Sequence, residues 1–504
     1  MSPVQARVLA FFSGACVLVL ELVGTRLLSP VFGSSIYVWS ALITVTLAAL
    51  AVGAWLGGLL ADGRKPERWP PRLCAAAGLW LAAVPLIRRG VLLAATGLGL
   101  KTGALAAAAV LVGGPLTALG ALAPLCVRCC ASDLARVGRA AGGVSSLSTA
   151  GSVLGALAAG FWLLPLLSAP VVVEGTAAFL LAAGAFLAWG PRKGAVGAVA
   201  GALACWAAFR TVPPPGSRHH IVRESVDSLY GAVRVVDRED WNSRVLFIDG
   251  VANTLAELAT LKNTSDYIAA FELAAAARPE AKRALVVGLG GGAIVGRLRD
   301  GWGIPADAVE IDPTIVRMAE RWFDFKPSGE VIIDDGRRVL EREGPSYGLI
   351  YLDAFAGDSS PEQIFSVESF RAAKRRLAPR GLLIVNLIGT ATGPDNDLAR
   401  AAQRTLREVF PSVSMLVASR TLDWRTGITN LVFFAGDAPA LPAAGVAGRP
   451  ELLQYWISVS DRWVDPGPDG RLLTDDSSAM SYLTAPGMAR MRTQMLAHRE
   501  GVEL

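Results

Sequence analysis

The chain has 504 residues, 18% of them charged, a formal net charge of +5 and a mean hydropathy of +0.43. Those averages hide two halves: residues 1–215 carry 15 Lys/Arg against 5 Asp/Glu, and the remainder 33 against 38. A basic, apolar half before an acidic, mixed half implies two domains, and with the excess positive charge set among apolar runs it excludes a nucleic-acid partner.

Apolar segments recur at about 8–29, 37–61, 72–87, 103–127, 142–165, 170–189 and 195–209, several of them near the roughly 20 residues that cross a bilayer. That is too many for a signal peptide, and with the ambiguous stretch 88–102 it predicts seven to eight segments in a transmembrane helical domain over 1–210. Gly53, Gly57, Gly58, Gly151 and Gly155 suit close helix packing. Arg64, Lys65, Arg68, Arg72, Arg136, Arg139, Arg192 and Lys193 mark cytoplasmic loops, with the N-terminus inside. Seven spans would export the acidic half; eight, or six plus a surface helix at 195–209, would keep it in the cytoplasm. Glu21 and Arg26 are ionisable groups within the first segment, where charge is costly and often functional. All six cysteines (Cys16, Cys74, Cys126, Cys129, Cys130, Cys205) lie in the apolar half, which has no histidine. We read them as packing residues and expect neither a disulfide nor a metal site.

Residues 211–218 read as a linker, since Pro213, Pro214 and Pro215 cannot continue a helix. His219 and His220 come next as hydrated linker residues. A small β-rich and helical lead-in is expected over 219–275, with strands at Val222–Val226, Ala232–Val236 and Arg244–Ile248. From 276 to 504 the pattern alternates between strand and helix. Strands are expected at Ala284–Val287, Ala308–Ile311, Val331–Ile333, Leu349–Leu352, Leu382–Val385 and Leu431–Phe434. This predicts a mostly parallel, doubly wound Rossmann-like sheet with its ligand at the carboxyl ends of the strands. The expected fold is therefore an N-terminal multi-span α-helical membrane bundle, a small β-unit and a C-terminal α/β domain.

Four strand ends carry the chemistry. Gly288, Gly290, Gly291 and Gly292 come after the first strand and let the backbone approach a ligand. Glu310 ends the second, where a carboxylate accepts ribose hydroxyls. Asp335 and Gly336 end the third, within reach of an adenine amino group, and Asp353 ends the fourth and points at the reacting centre. A pyrophosphate would be crowded by these acids, whereas a sulfonium cation suits them. The set therefore predicts an S-adenosylmethionine-type ligand rather than NAD(P).

At these residues the chain resembles the polyamine aminopropyltransferases (spermidine synthases), and more closely their membrane-fused relatives. The likeness rests on Glu21-Leu-Val-Gly-Thr-Arg26, Ser29-Pro-Val-Phe-Gly33 and Trp39 in the first half. In the second it rests on Tyr230-Gly231, Asp249-Gly250, the glycine loop, Val309-Glu-Ile-Asp312, Asp335-Gly336, Asp353 and Leu473-Thr-Asp-Asp476. It implies a spermidine synthase or class I methyltransferase type of domain and aminopropyl transfer from decarboxylated S-adenosylmethionine to an amine, releasing methylthioadenosine. Asp353 would be catalytic; Asn253, Glu310, Asp335 and the glycines would hold the donor; Tyr230, Asp266, Asp358 and Asp476 would meet the acceptor. The resemblance further implies a small-molecule amine substrate, a homodimer, and a protein of the cell (inner) membrane with its catalytic domain in the cytoplasm.

Departures matter. The acid that usually comes after the family's glycine loop is Ala293, the Gln after Asp249-Gly250 is Asn253, and the family's Asp-Glu pair reads Asp266-Tyr267. A carboxylate at position 293 would repel the carboxylate of intact S-adenosylmethionine. Its loss opens the alternative of a methyltransferase, an aminocarboxypropyl transferase or a cofactor-cleaving lyase, beside a third reading as a nucleotide-sensing membrane protein or transporter. Trp424 and Arg425 fall in a loop that is a candidate cover for the pocket.

Overall fold

A computed structural model of the chain describes residues 1–33, 36–131, 136–211, 220–355, 361–421, 423–425, 427–438, 445–477 and 479–497. The chain divides into two compact units, one built on Met1–Gly216 and one on Tyr230–Gly501.

In the first unit, six helices among the described residues are long and apolar enough to cross a membrane, by length and composition: Pro3–Phe32, Tyr37–Ala61, Pro66–Thr96, Gly99–Cys130, Val137–Leu163 and Ala169–Gly190. The expected seven to eight segments compare with these six at two places. Residues 88–96 prolong the third helix and 99–102 open the fourth, so 88–102 is neither a span nor an interfacial piece. After Gly190, at φ 75° and ψ −178°, the chain resumes helix to Thr211, beyond the six. Gly53 and Gly57 lie against the backbone of Thr117–Ala121, and Gly151 and Gly155 against Phe11 and Ala15, whereas Gly58 faces open space. Cys16, Cys74, Cys126, Cys129 and Cys130 are free thiols.

The second unit opens with a four-stranded sheet, β1 (His220–Asp227), β2 (Ala232–Arg238), β3 (Ser243–Ile248) and β4 (Val251–Glu257), in that order. Asp249 and Gly250, at φ 48° and 77°, form the two-residue turn between β3 and β4, the geometry that an Asp-Gly hairpin favours. Asp249 Oδ1 also accepts from the Ala232 amide at 3.0 Å.

The main sheet has eight strands: β5 (Ala284–Val287), β6 (Ala306–Glu310), β7 (Val331–Ile333), β8 (Tyr347–Leu352), β9 (Leu377–Thr390), β10 (Ser412–Val417), β11 (Ile428–Gly436) and β12 (Trp463–Val464). Their order is β12-β10-β11-β9-β8-β5-β6-β7. β5 to β9 pair in parallel, and β10, β11 and β12 add an antiparallel flank. Successive side chains of a strand point to opposite faces, and both faces are covered. Val286, Leu349, Tyr351 and Ile384 pack under the helices Asp266–Ala277 and Ala293–Trp302. Val287, Ile350, Leu352 and Val385 pack under Val367–Arg376 and Asp397–Arg407. Burial on both sides is why these strands read as unbroken apolar runs. The order reverses between β5 and β8, whose neighbours lie on opposite sides, and such a switch point opens a ligand crevice at the strand ends.

Candidate active site

A cavity of about 460 Å³ sits at the carboxyl ends of β5, β6, β7 and β8, and β4 forms one of its walls. It is in the size range of small-molecule sites.

The glycine loop forms its floor. Gly288 has φ +95°, and a Cβ there would stand 2.2 Å from the Asp353 carbonyl oxygen, so this position requires glycine. Gly292, at φ +77°, has Phe325 against its α-carbon, where a Cβ would meet the ring at 2.2 Å. It caps the helix Ala293–Trp302 without facing the main cavity, unlike Gly288, Gly290 and Gly291. The Gly291 amide donates to Thr254 Oγ1 at 2.9 Å, tying the loop to β4.

Glu310 is 7% exposed at the end of β6. Its Oε2 accepts from the Leu289 amide and its Oε1 from the Asp312 amide, each at 3.0 Å. Burial pushes its carboxyl above the usual range, and those two amides oppose the shift. Each oxygen keeps a lone pair for a ligand. Beside it, Asp312 Oδ2 is buried without a hydrogen-bond partner among the described residues and also lines the cavity. A pair of ribose hydroxyls fits acceptors so arranged. After β7, Asp335 Oδ1 takes the Arg338 amide at 3.1 Å. Asp334, held low by the Asp335 amide and by Arg342 and Arg338, belongs to an ion cluster at the rim.

Asp353 comes directly after β8. Its carboxyl is pushed up to about 7 by burial, against the pull of a hydrogen bond from Asn386. That bond runs from Asn386 Nδ2 to Asp353 Oδ1 at 2.8 Å, and Asn430 Nδ2 donates to Asn386 Oδ1 at 3.1 Å. Tyr267 faces the same centre: burial, then the Asp353 charge, raises its phenol well above 10, and its ring packs edge-on to Phe271 at 5.5 Å.

Of the residues expected to meet an acceptor, Tyr230 lines the cavity and Asp266 does not. Asp266 accepts from the Arg420 amide at 2.8 Å and pairs with its Nε at 2.7 Å. On a helix adjacent residues point about 100° apart, so Tyr267 takes the inward position. Asp476 is also absent from the cavity wall. Its neighbour Asp475 is bound by Arg337 and Ser366, which makes the tail motif a clamp. Asp358 lies outside the described residues. Asn253 lines the cavity, with its Nδ2 turned to the Val251 carbonyl at 3.1 Å. Trp424 is buried at 6% exposure under Arg425 and belongs to the core, so it does not cover the pocket. Sequence reasoning missed Tyr267, Thr254, Asn386 and Asn430. Asn386, a lone amide inside an apolar strand, carried the one visible signal.

No family model matches the chain. It is 35% identical over 217 residues to a polyamine aminopropyltransferase of Vibrio vulnificus, which covers 41% of this chain and 71% of that protein. It is 28% identical over 164 residues to an N-terminal histidine N-methyltransferase of Emericella nidulans, 32% of this chain and 29% of the relative. Among solved structures, a probable spermidine synthase from Corynebacterium glutamicum aligns over 51% of this chain and 97% of its own at 21% identity and a TM-score of 0.42.

Proposed function

The chain belongs to the polyamine aminopropyltransferase family, and from that premise we propose that it moves an aminopropyl group from decarboxylated S-adenosylmethionine to an amine, releasing methylthioadenosine. The observation that carries the reading is Asp353, a buried carboxylate that lines the cavity at the end of β8, with its ionisation drawn to about 7. An alkylamine is protonated up to about pH 10.4 by analogy with lysine, so it must lose a proton before it can attack. Asp353 accepts that proton. The freed nitrogen forms the new N–C bond as the C–S bond breaks, and the electron pair returns to sulfur. Glu310 and Asp312 hold the ribose, Asp335 the adenine, and Tyr267 and Tyr230 flank the amine. Fixing donor and acceptor in line supplies much of the rate.

A second reading has its own support. Asn263 Nδ2 is buried without a partner among the described residues, and both Asn263 and Ala293 line the cavity. Ala293 opens a ten-residue helix. A free donor and a helix N-terminus without an acid favour a carboxylate, which intact S-adenosylmethionine carries and its decarboxylated form lacks. Calorimetry of the purified chain with both donors separates the readings. Tighter binding of the decarboxylated donor, with methylthioadenosine as product, supports aminopropyl transfer. Tighter binding of the intact donor replaces it with methyl or aminocarboxypropyl transfer.

We further propose that the six apolar helices anchor the chain in the cell membrane. With an even number of spans the second unit would lie on the side of the N-terminus, which the distribution of Lys and Arg makes the cytoplasm.

A further inference from the structure

Asn386 and Asn430 stand on β9 and β11, outside the strands that form the nucleoside end. Parallel pairing sets Leu352 beside Val385, so Asp353 and Asn386 are the next residues along. Antiparallel pairing sets Asn386 opposite Val432 and Asn430 opposite Ile388, which brings the two amides together. Asn386 is 1% exposed. A buried amide in an otherwise apolar strand is costly unless its bonds are met, and here they are met in one direction. An ionised carboxylate only accepts, so Asn386 presents its NH2 to Asp353 and its oxygen to Asn430. Asn430 therefore selects which end of the Asn386 amide faces the carboxylate.

We propose that Asn386 and Asn430 are positioning residues for the transfer, a two-amide relay that orients the Asp353 carboxylate and holds it ready to take the amine proton. The assignment of the proton step rests on the function proposed above; the relay itself does not. The other ionisable groups of the cavity are Tyr267 on the helix Asp266–Ala277, Tyr230 between β1 and β2, Glu310 and Asp312 at the end of β6, and Asp334 and Asp335 after β7. Among the described residues none of them hydrogen-bonds Asp353, and the Asn386 amide is its one side-chain donor.

The test is an infrared titration of the full chain in detergent. The Asp353 carboxyl band is identified by its loss in Asp353→Asn. In Asn386→Leu the midpoint is expected to rise by about one pH unit, which cuts the ionised fraction at pH 7 about fivefold. In Asn430→Leu, at a less buried site, it is expected to rise by less. Donor affinity by calorimetry is expected to hold in both, showing that the nucleoside end is intact. If turnover is found, the acid limb of its pH profile moves with the midpoint while KM for the donor stays. Unmoved midpoints in both variants overturn the relay, even with lowered stability, because a merely structural role would shift melting and leave the titration alone. If no donor turns over, the proposed function fails and the titration still decides the relay.

Discussion

At Asp353, burial and hydrogen bonding pull in opposite directions, and burial wins. A carboxyl whose folded-state pKa is raised contributes stability that is present at low pH and lost as pH rises through the folded value, here about 7. Asp353→Asn removes the charge and is expected to melt at a higher temperature than the parent at pH 8, with little difference at pH 4. The same variant is expected to lose about 10²-fold or more in turnover, the share of a general base, while still binding donor. Activity equal to the parent's would remove Asp353 as the base. For Glu310→Ala, nucleoside affinity should fall about tenfold or more, since hydrogen bonds to a charged group are worth roughly 1.5–3 kcal/mol. An unchanged dissociation constant in calorimetry would sink the ribose assignment. These two acids were legible because each ends an apolar run. Asp266 was misread for the converse reason. Sequence adjacency favours the acid, but helix phase turns it to Arg420 and leaves Tyr267 inside.

The strand–turn–helix units from β5 to β8 could be read from their apolar runs and the residues that stop them, since two-sided burial leaves a strong signal. β4 could not: Val251–Glu257 contains Ala252, Asn253, Ala256 and Glu257, poor strand formers. β12 has two residues and no pattern to detect. β4 nonetheless meets the glycine loop through Thr254, which is 4% exposed. Thr254→Val keeps the shape and deletes the acceptor, leaving the Gly291 amide buried and unpaired. A loss of about 1–3 kcal/mol in unfolding free energy is expected, with weaker donor binding. Equal denaturation midpoints would show that the amide finds another partner.

For the molecule as a whole, the composition changes near residue 215 from basic and apolar to acidic and mixed, and the contacts of the chain group into two compact units. The segment count was less legible, because hydropathy alone cannot tell one long helix from two short spans, as residues 88–102 illustrate. If the six helices are spans, the full chain expressed in cells should stay with membranes through an alkaline carbonate wash and come off only with detergent. Release by carbonate would reduce the helical unit to a peripheral one.

The spacing of the site along the chain bears on how it is assembled. The groups proposed to hold the nucleoside end lie between Gly288 and Gly336, whereas the two amides beside Asp353 come from Asn386 and Asn430. Domains fold as units, and β5 to β11 belong to one sheet. The pocket and its brace therefore form together, once the chain has been made past Asn430, and a product that stops between Gly336 and Asn386 is expected to hold neither ligand nor a tuned carboxylate.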